Sequence, residues 1–171
     1  MSIIVDDKPI EVRMRYVDRS YAGGAVGVEV FRTQEEEDTW VEKESKKRND
    51  KIMEFRALNK EIPSKLEEDP KLEIKEILTF WKRMDWGTQT QIITDSQKTN
   101  NLGEATTDWT KYRLSQMKNL MVGWDLQTPD GKPIPVNEKI LKRLDFSIAI
   151  ALIQKYEDTI SPDEEELENL E

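Results

Sequence analysis

The chain has 171 residues, a formal net charge of −9, hydrophobic and charged fractions of 36% each, and neither Cys nor His. Those absences exclude disulfides, thiolate or imidazole zinc sites, cysteine nucleophiles and His-based triads. A length of this order suits one domain with a small core and solvated helices around it.

The charge is unevenly placed. Residues 157–171 hold eight carboxylates and no Lys or Arg, so the rest of the chain is close to neutral. A balanced body offers no general attraction for nucleic acid. Residues 159–171 read as a mobile acidic tail. No apolar run approaches membrane-spanning length, and the first residues lack the basic region of a signal peptide. A soluble, non-secreted protein is expected.

Ile3, Ile4 and Val5 form a short strand, broken by the turn-rich Asp6-Asp7-Lys8-Pro9. Ile10, Val12, Met14 and Tyr16 then alternate with Glu11, Arg13 and Arg15, the period of a half-buried strand. A small N-terminal β segment is predicted over residues 1–32, with a short hairpin at its start. Gly23, Gly24 and Gly27 lack the Lys-Ser/Thr that a phosphate loop needs. They read as a loop leading into a strand from Val26 to Phe31.

Thr33-Gln-Glu-Glu36 is a capping box. A long charged helix is predicted from about 34 to 59, within a segment 33–60. Its middle is almost wholly polar, and Trp40, Val41, Ile52, Phe55 and Leu58 sit at its ends. Such a helix cannot be buried along its length. Either it projects and offers those end residues to a partner, or it is solvated and laced with pairs such as Glu42–Lys46 and Glu44–Arg48.

Residues 60–69 read as a linker. Asp69 caps, and Pro70 opens, a predicted helix to about 85, with Ile74, Ile77, Leu78, Trp81 and Met84 on one face. Residues 87–106 are rich in Gln, Thr, Asn and Ser and read as an unusually long polar loop, functional or disordered. Ile92 and Ile93 are its candidate partner-binding residues, and a short strand over 89–94 is the alternative.

The last unit is the best specified. Thr107 or Asp108 caps a helix in which Trp109, Tyr112, Arg113, Met117, Leu120, Met121 and Trp124 fall near one face, and Gly123 marks its end. Thr128-Pro129-Asp130-Gly131 has type I turn chemistry. Lys132-Pro133-Ile134-Pro135-Val136 must be extended, and its prolines make it an edge. Asn137 caps a short helix bearing Ile140 and Leu141. Asp145 starts another bearing Phe146, Ile148, Ala149, Leu152, Ile153 and Tyr156.

The predicted class is therefore mainly α with a small N-terminal β-hairpin, an α+β chain, whose helical body over 70–158 ends in a unit with a short Pro-rich edge hairpin. Trp81, Trp109, Trp124, Pro129, Gly131, Pro133 and Pro135 read as scaffold. Trp81, Trp86, Trp109 and Trp124 are placed for stacking on bases, yet their helical spacing favours core packing. No carboxylate lies in an apolar setting that tunes a pKa. Asp125 and Asp130 read as turn residues. No catalytic residue, cofactor site or metal site is predicted.

The run Leu120-Met-Val-Gly-Trp-Asp-Leu126, then Asp130-Gly-Lys-Pro-Ile-Pro-Val-Asn137 and the two helices after it, resembles small proteins of tailed bacteriophages. Most of these are tail-assembly chaperones or tail- and virion-associated proteins. The resemblance covers residues 107–156; where that family commonly has Leu-Pro, this chain has Leu144-Asp145. It implies a non-enzymatic protein that binds phage structural proteins such as the tape measure or tail tube subunits, with self-association as a further mode. It also implies a place in the cytoplasm of an infected bacterium or in the virion. A structural virion component is the alternative it allows.

Overall fold

The computed structural model describes residues 8–20 and 26–161. The expected strand Ile3–Val5, Gly23, Gly24 and the acidic tail from residue 162 lie outside them. The chain divides into two compact units, one spanning Arg15–Glu76 and the other combining Met1–Met14 with Ile77–Glu171. The class is α+β, with an N-terminal antiparallel hairpin of β1 (Ile10–Ser20) and β2 (Val26–Phe31). With β3 (Lys75–Trp81) and β6 (Met121–Trp124), these form a sheet of order β2-β1-β3-β6.

In the Arg15–Glu76 unit, β1 and β2 pair in register from Arg15 opposite Phe31 to Ser20 opposite Val26. Helix α1 (Gln34–Ala57) starts at the predicted box: Thr33 Oγ1 accepts from the Glu36 amide at 3.2 Å. The Glu36 carboxylate in turn accepts from the Arg32 amide at 2.7 Å. Glu37, one residue on, is buried and takes both oxygens to Arg15 Nη1 at 2.9 and 3.0 Å.

The polar middle of α1 is partly covered by the chain's own next segment. Arg48, 5% exposed, donates to the carbonyls of Lys65 and Glu68 at 3.1 and 2.9 Å and to Glu73 Oε1 at 2.7 Å. That segment comprises the helical turn α2 (Ser64–Glu67) and a 3₁₀ turn over Pro70–Glu73. The predicted Glu44–Arg48 pair forms at 3.4 Å. One long polar side chain thus does what an apolar stripe does in an ordinary amphipathic helix. Residue-type patterning shows no sign of it.

The helix predicted from 70 to about 85 is absent. Asp69 does cap, accepting from the Lys71 amide at 2.9 Å, but only a single 3₁₀ turn follows. Residues 75–81 are strand β3. Ile77, Thr79 and Trp81 are buried, and Leu78 and Phe80 between them are half-buried. An apolar run covered on both faces satisfies a 3.6-residue period and a two-residue period equally. The β-prone Ile, Thr, Phe and Trp and the strand partners decide it.

In the second unit, β3 pairs antiparallel with β6 from Thr79 opposite Trp124 to Trp81 opposite Met121, with a register shift between Phe80 and Trp81. Asp125 extends the ladder: its amide donates to the Leu78 carbonyl, and its side chain accepts from the Leu78 amide, both at 3.0 Å. The Thr79 hydroxyl donates to the Val12 carbonyl at 3.0 Å and accepts from Trp81 Nε1 at 2.7 Å. The core gathers Trp81, Ile92, Leu120, Leu152 and Tyr156.

The expected polar loop over 87–106 is also replaced. Its first half is helix α3 (Trp86–Ser96), capped by Asp85, whose carboxylate accepts from the Thr88 amide at 2.6 Å. This helix packs chiefly on α4 (Trp109–Leu120). The second half is a hairpin of β4 (Gln97–Thr99) and β5 (Ala105–Thr107). Asn100 Oδ1 accepts from the amides of Leu102 and Glu104 at 2.9 Å, and Gly103 takes φ +82° to close the turn.

From α4 onward the expectations hold closely. Asp108 caps α4, accepting from the Thr110 and Lys111 amides. The helix stops at Leu120, however, and Gly123 lies within β6. In the Thr128–Gly131 turn, the Gly131 amide donates to the Thr128 carbonyl at 2.8 Å, and Gly131 has φ +78°. A type I turn followed by a left-handed glycine is a standard three-residue hairpin loop. Gln127 bridges Pro133, and Trp124 Nε1 donates to the Ile134 carbonyl at 2.6 Å. Asn137 caps α5 (Glu138–Leu141) and Asp145 caps α6 (Phe146–Ile160).

Candidate functional site

Helices α4, α5 and α6 leave an open groove of about 580 Å³ between them. Its floor is apolar: Met117 from α4, Leu141 from α5 and Ile153 from α6 are all buried. Leu114, Leu144, Ala149 and Ile150 form half-buried walls. Trp109 and Phe146 stand at the rim, 67% and 76% exposed.

The two rim aromatics share one local cause. Each follows an N-cap aspartate directly, Asp108 before Trp109 and Asp145 before Phe146. The first residue of a helix has no preceding turn to pack on, so a ring placed there projects beyond the helix. Trp109 meets the ring of Tyr112 edge-on, with ring centres 5.6 Å apart.

The groove lining includes two cations, Arg113 and Lys142, and no carboxylate. Lys142 is engaged by Glu138 Oε1 at 2.6 Å, and this bond, ahead of Lys118, holds the Glu138 carboxyl below its ordinary value. Arg113 is half-buried, with no hydrogen bond or ion pair among the described residues. The Asp108 carboxyl at the rim is also held below its ordinary value, first by the Lys111 amide. The arrangement can bind an apolar segment. It brings no nucleophile and base together. Among the described residues no group of three or more His, Cys, Asp and Glu is placed to hold a metal, and no helix is long and apolar enough to cross a membrane.

The residues singled out from sequence do not form one site. Trp40, Val41, Ile52 and Phe55 are half-buried on α1, and Leu58 is exposed at its end. Trp40 packs on Phe31, with ring centres 5.7 Å apart. Ile92 is 1% exposed, a core residue of the second unit and therefore closed to a partner; Ile93 beside it is exposed. Of the expected scaffold, Trp81 is fully buried and Trp124 half-buried and hydrogen-bonded. Pro129, Gly131, Pro133 and Pro135 are exposed residues of the turn and the extended edge. Trp109 is a rim residue and not core, and Trp86 is likewise open to solvent. The groove residues Leu114, Leu144 and Ile150 were not singled out as binding residues. The pairing of an N-cap aspartate with an exposed aromatic recurs at Asp85 and Trp86, outside the groove, so it does not by itself single out this face in the sequence.

No protein-family model matches the chain, and no curated protein or solved structure does either.

Proposed function

We propose that this chain is a non-enzymatic protein-binding factor of the tail-assembly chaperone type, acting on a phage structural protein such as the tape measure. The groove between α4, α5 and α6 is its binding surface. The observation that carries the reading is the pair of exposed rings, Trp109 and Phe146, above an apolar floor that has no catalytic group beside it. Aromatic anchors over an apolar cleft are the usual chemistry of a helix-in-groove contact. The phage assignment rests on the resemblance of residues 107–156.

The alternative of a virion component is motivated by the polar stretch and by the exposed N-terminal strands. Residues 86–107 form a helix and a hairpin, so of the two features the strands remain in its favour.

The test is co-expression with a tape-measure protein. Co-purification and a gain in its solubility are expected. Both should be lost in the Trp109→Ala/Phe146→Ala variant. Absence of both effects with the parent chain rejects the chaperone reading.

A further inference from the structure

We propose that the segment held in the α4–α6 groove is an acidic amphipathic helix of a partner protein, with apolar residues at i, i+3, i+4 and i+7 and a carboxylate beside them that pairs with Arg113. The inference deepens the binding reading and rests on it, but it does not require the partner to be a phage protein.

The first observation is the register of the two walls. On α4 the groove is lined by Thr110, Arg113, Leu114 and Met117, and on α6 by Phe146, Ala149, Ile150 and Ile153. Both sets follow the steps i, i+3, i+4 and i+7, the face that one helix turns to another. Each set covers about 10 Å of helix axis at 1.5 Å per residue. A third helix meets such walls over the same length and places four anchors between them. An extended segment has same-face side chains about 7 Å apart and places only two there.

The second is the apolar surface of α6. Ile148, Ala151, Leu152 and Tyr156 form its core face and are buried. Phe146, Ala149 and Ile150 lie on a second face, with Ile153 at its covered end. A surface helix carries one apolar stripe, and a helix apolar on two faces packs on two sides.

The third is charge. Arg113 stands in this lining half-buried, with no hydrogen bond or ion pair among the described residues. Lys142, the other lining cation, already holds Glu138. An apolar helix docked over Arg113 strips water from its guanidinium, and an acceptor of opposite charge offsets that cost. A carboxylate matches the planar fork of donors. The groove lining contains none, so the partner must supply it. A helix flanked by lysines brings a like charge to Arg113 and is rejected.

The test uses the full-length chain and three fluorescein-labelled peptides. The first is an Ala-based helix with Leu at i, i+3, i+4 and i+7 and Glu at the flanking positions. The second has Lys in place of each Glu. The third has the composition of the first, with its leucines at every second position. By fluorescence anisotropy the first is expected to bind about ten-fold tighter than the second, the contribution of a charge-assisted hydrogen bond. The third should bind weakly. Arg113→Gln should bring the first two peptides together, and Arg113→Glu should reverse their order, with circular dichroism checking that both variants keep the fold. Arg113→Gln reports on the charge even where Arg113→Glu unfolds.

Equal binding of the first and third peptides overturns the helical occupant. A preference unchanged in the Arg113 variants overturns the ion pair. Failure of the first peptide to bind overturns the proposal as a whole. If the chain then sediments as a dimer that is lost in Trp109→Ala/Phe146→Ala, the groove belongs to a second copy. If the peptides fail while the tape-measure protein still co-purifies, this inference falls and the binding reading survives. If the peptides discriminate without that co-purification, the phage partner falls and the inference stands.

Discussion

The indole of Trp81 lies stacked on the ring of Tyr156, with centres 4.8 Å apart and planes 19° from parallel. This contact joins the sheet to α6. Tyr156 also donates its hydroxyl to the Lys82 carbonyl at 3.0 Å, one residue beyond its stacking partner. Tyr156→Phe keeps the stack and leaves that carbonyl without its donor, at a cost of about 1 kcal/mol. Trp81→Ala removes the stack and a large buried volume, at about 3–5 kcal/mol. Urea unfolding of the two variants separates the terms; equal losses would contradict this division.

Trp124 is half-buried, and its indole N–H closes the 126–134 hairpin onto Ile134. Trp124→Phe retains most of the apolar contact and lacks the donor, and should cost about 1–2 kcal/mol. Trp124→Ala should cost about 2–4 kcal/mol, below the value for a fully buried tryptophan. A thermal midpoint for Trp124→Ala within a degree of the parent would show that the hairpin is held by other means.

Arg48 anchors two carbonyls and Glu73 along the polar middle of α1. Arg48→Met leaves those groups short of donors and should destabilise by about 2–4 kcal/mol. Arg48→Lys should recover little, because an ammonium cannot present the same fork of donors. Full recovery by Lys, measured by denaturant titration, would mean that charge alone suffices.

The carboxyls of Asp85 and Asp108 lie below the ordinary value of 3.8, drawn down first by the amides of Thr88 and Lys111. A carboxyl with a lower pKa in the fold than in the unfolded chain stabilises the fold above its ordinary value. That contribution disappears as pH falls through the depressed value. Asp85→Asn and Asp108→Asn keep an acceptor at each cap and remove the titration. Their stability should be flatter than the parent's as the pH falls below the ordinary carboxyl value of 3.8. An acid limb as steep as the parent's would assign the effect to other groups.

Trp109 and Phe146 are exposed at the groove rim and carry little of the fold. Trp109→Ala and Phe146→Ala should each change stability by less than about 0.5 kcal/mol, as surface substitutions do. A larger loss of the calorimetric midpoint would reassign these rings to structure and weaken their role in binding.

What the sequence disclosed was local. Thr33, Asp108, Asn137 and Asp145 act on amides within four residues of themselves, and the Thr128–Gly131 turn closes on itself, so each could be read without a partner. What it concealed depended on distant residues. Residues 77–81 are a strand because β6 pairs with them and Tyr156 covers Trp81. Residues 86–96 look like a loop because a helix that buries little more than Ile92 and Ser96 against α4 needs few apolar residues. Asp85, its cap, was hidden inside a helix wrongly extended across it. The groove was half legible: its floor residues Met117, Leu141 and Ile153 fell on the predicted helix faces, but the exposure of Trp109 and Phe146 depends on where their helices begin.

The stretch from Arg15 to Glu76 leaves β1 and returns along β3, and its two end residues are bonded to each other, Arg15 Nε to Glu76 Oε2 at 3.3 Å. A module whose entrance and exit adjoin can be lengthened, shortened or exchanged without resetting the strands that receive it. Residues 15–76 therefore enter and leave at neighbouring points, and the Arg15–Glu76 pair pins the two ends of that stretch together.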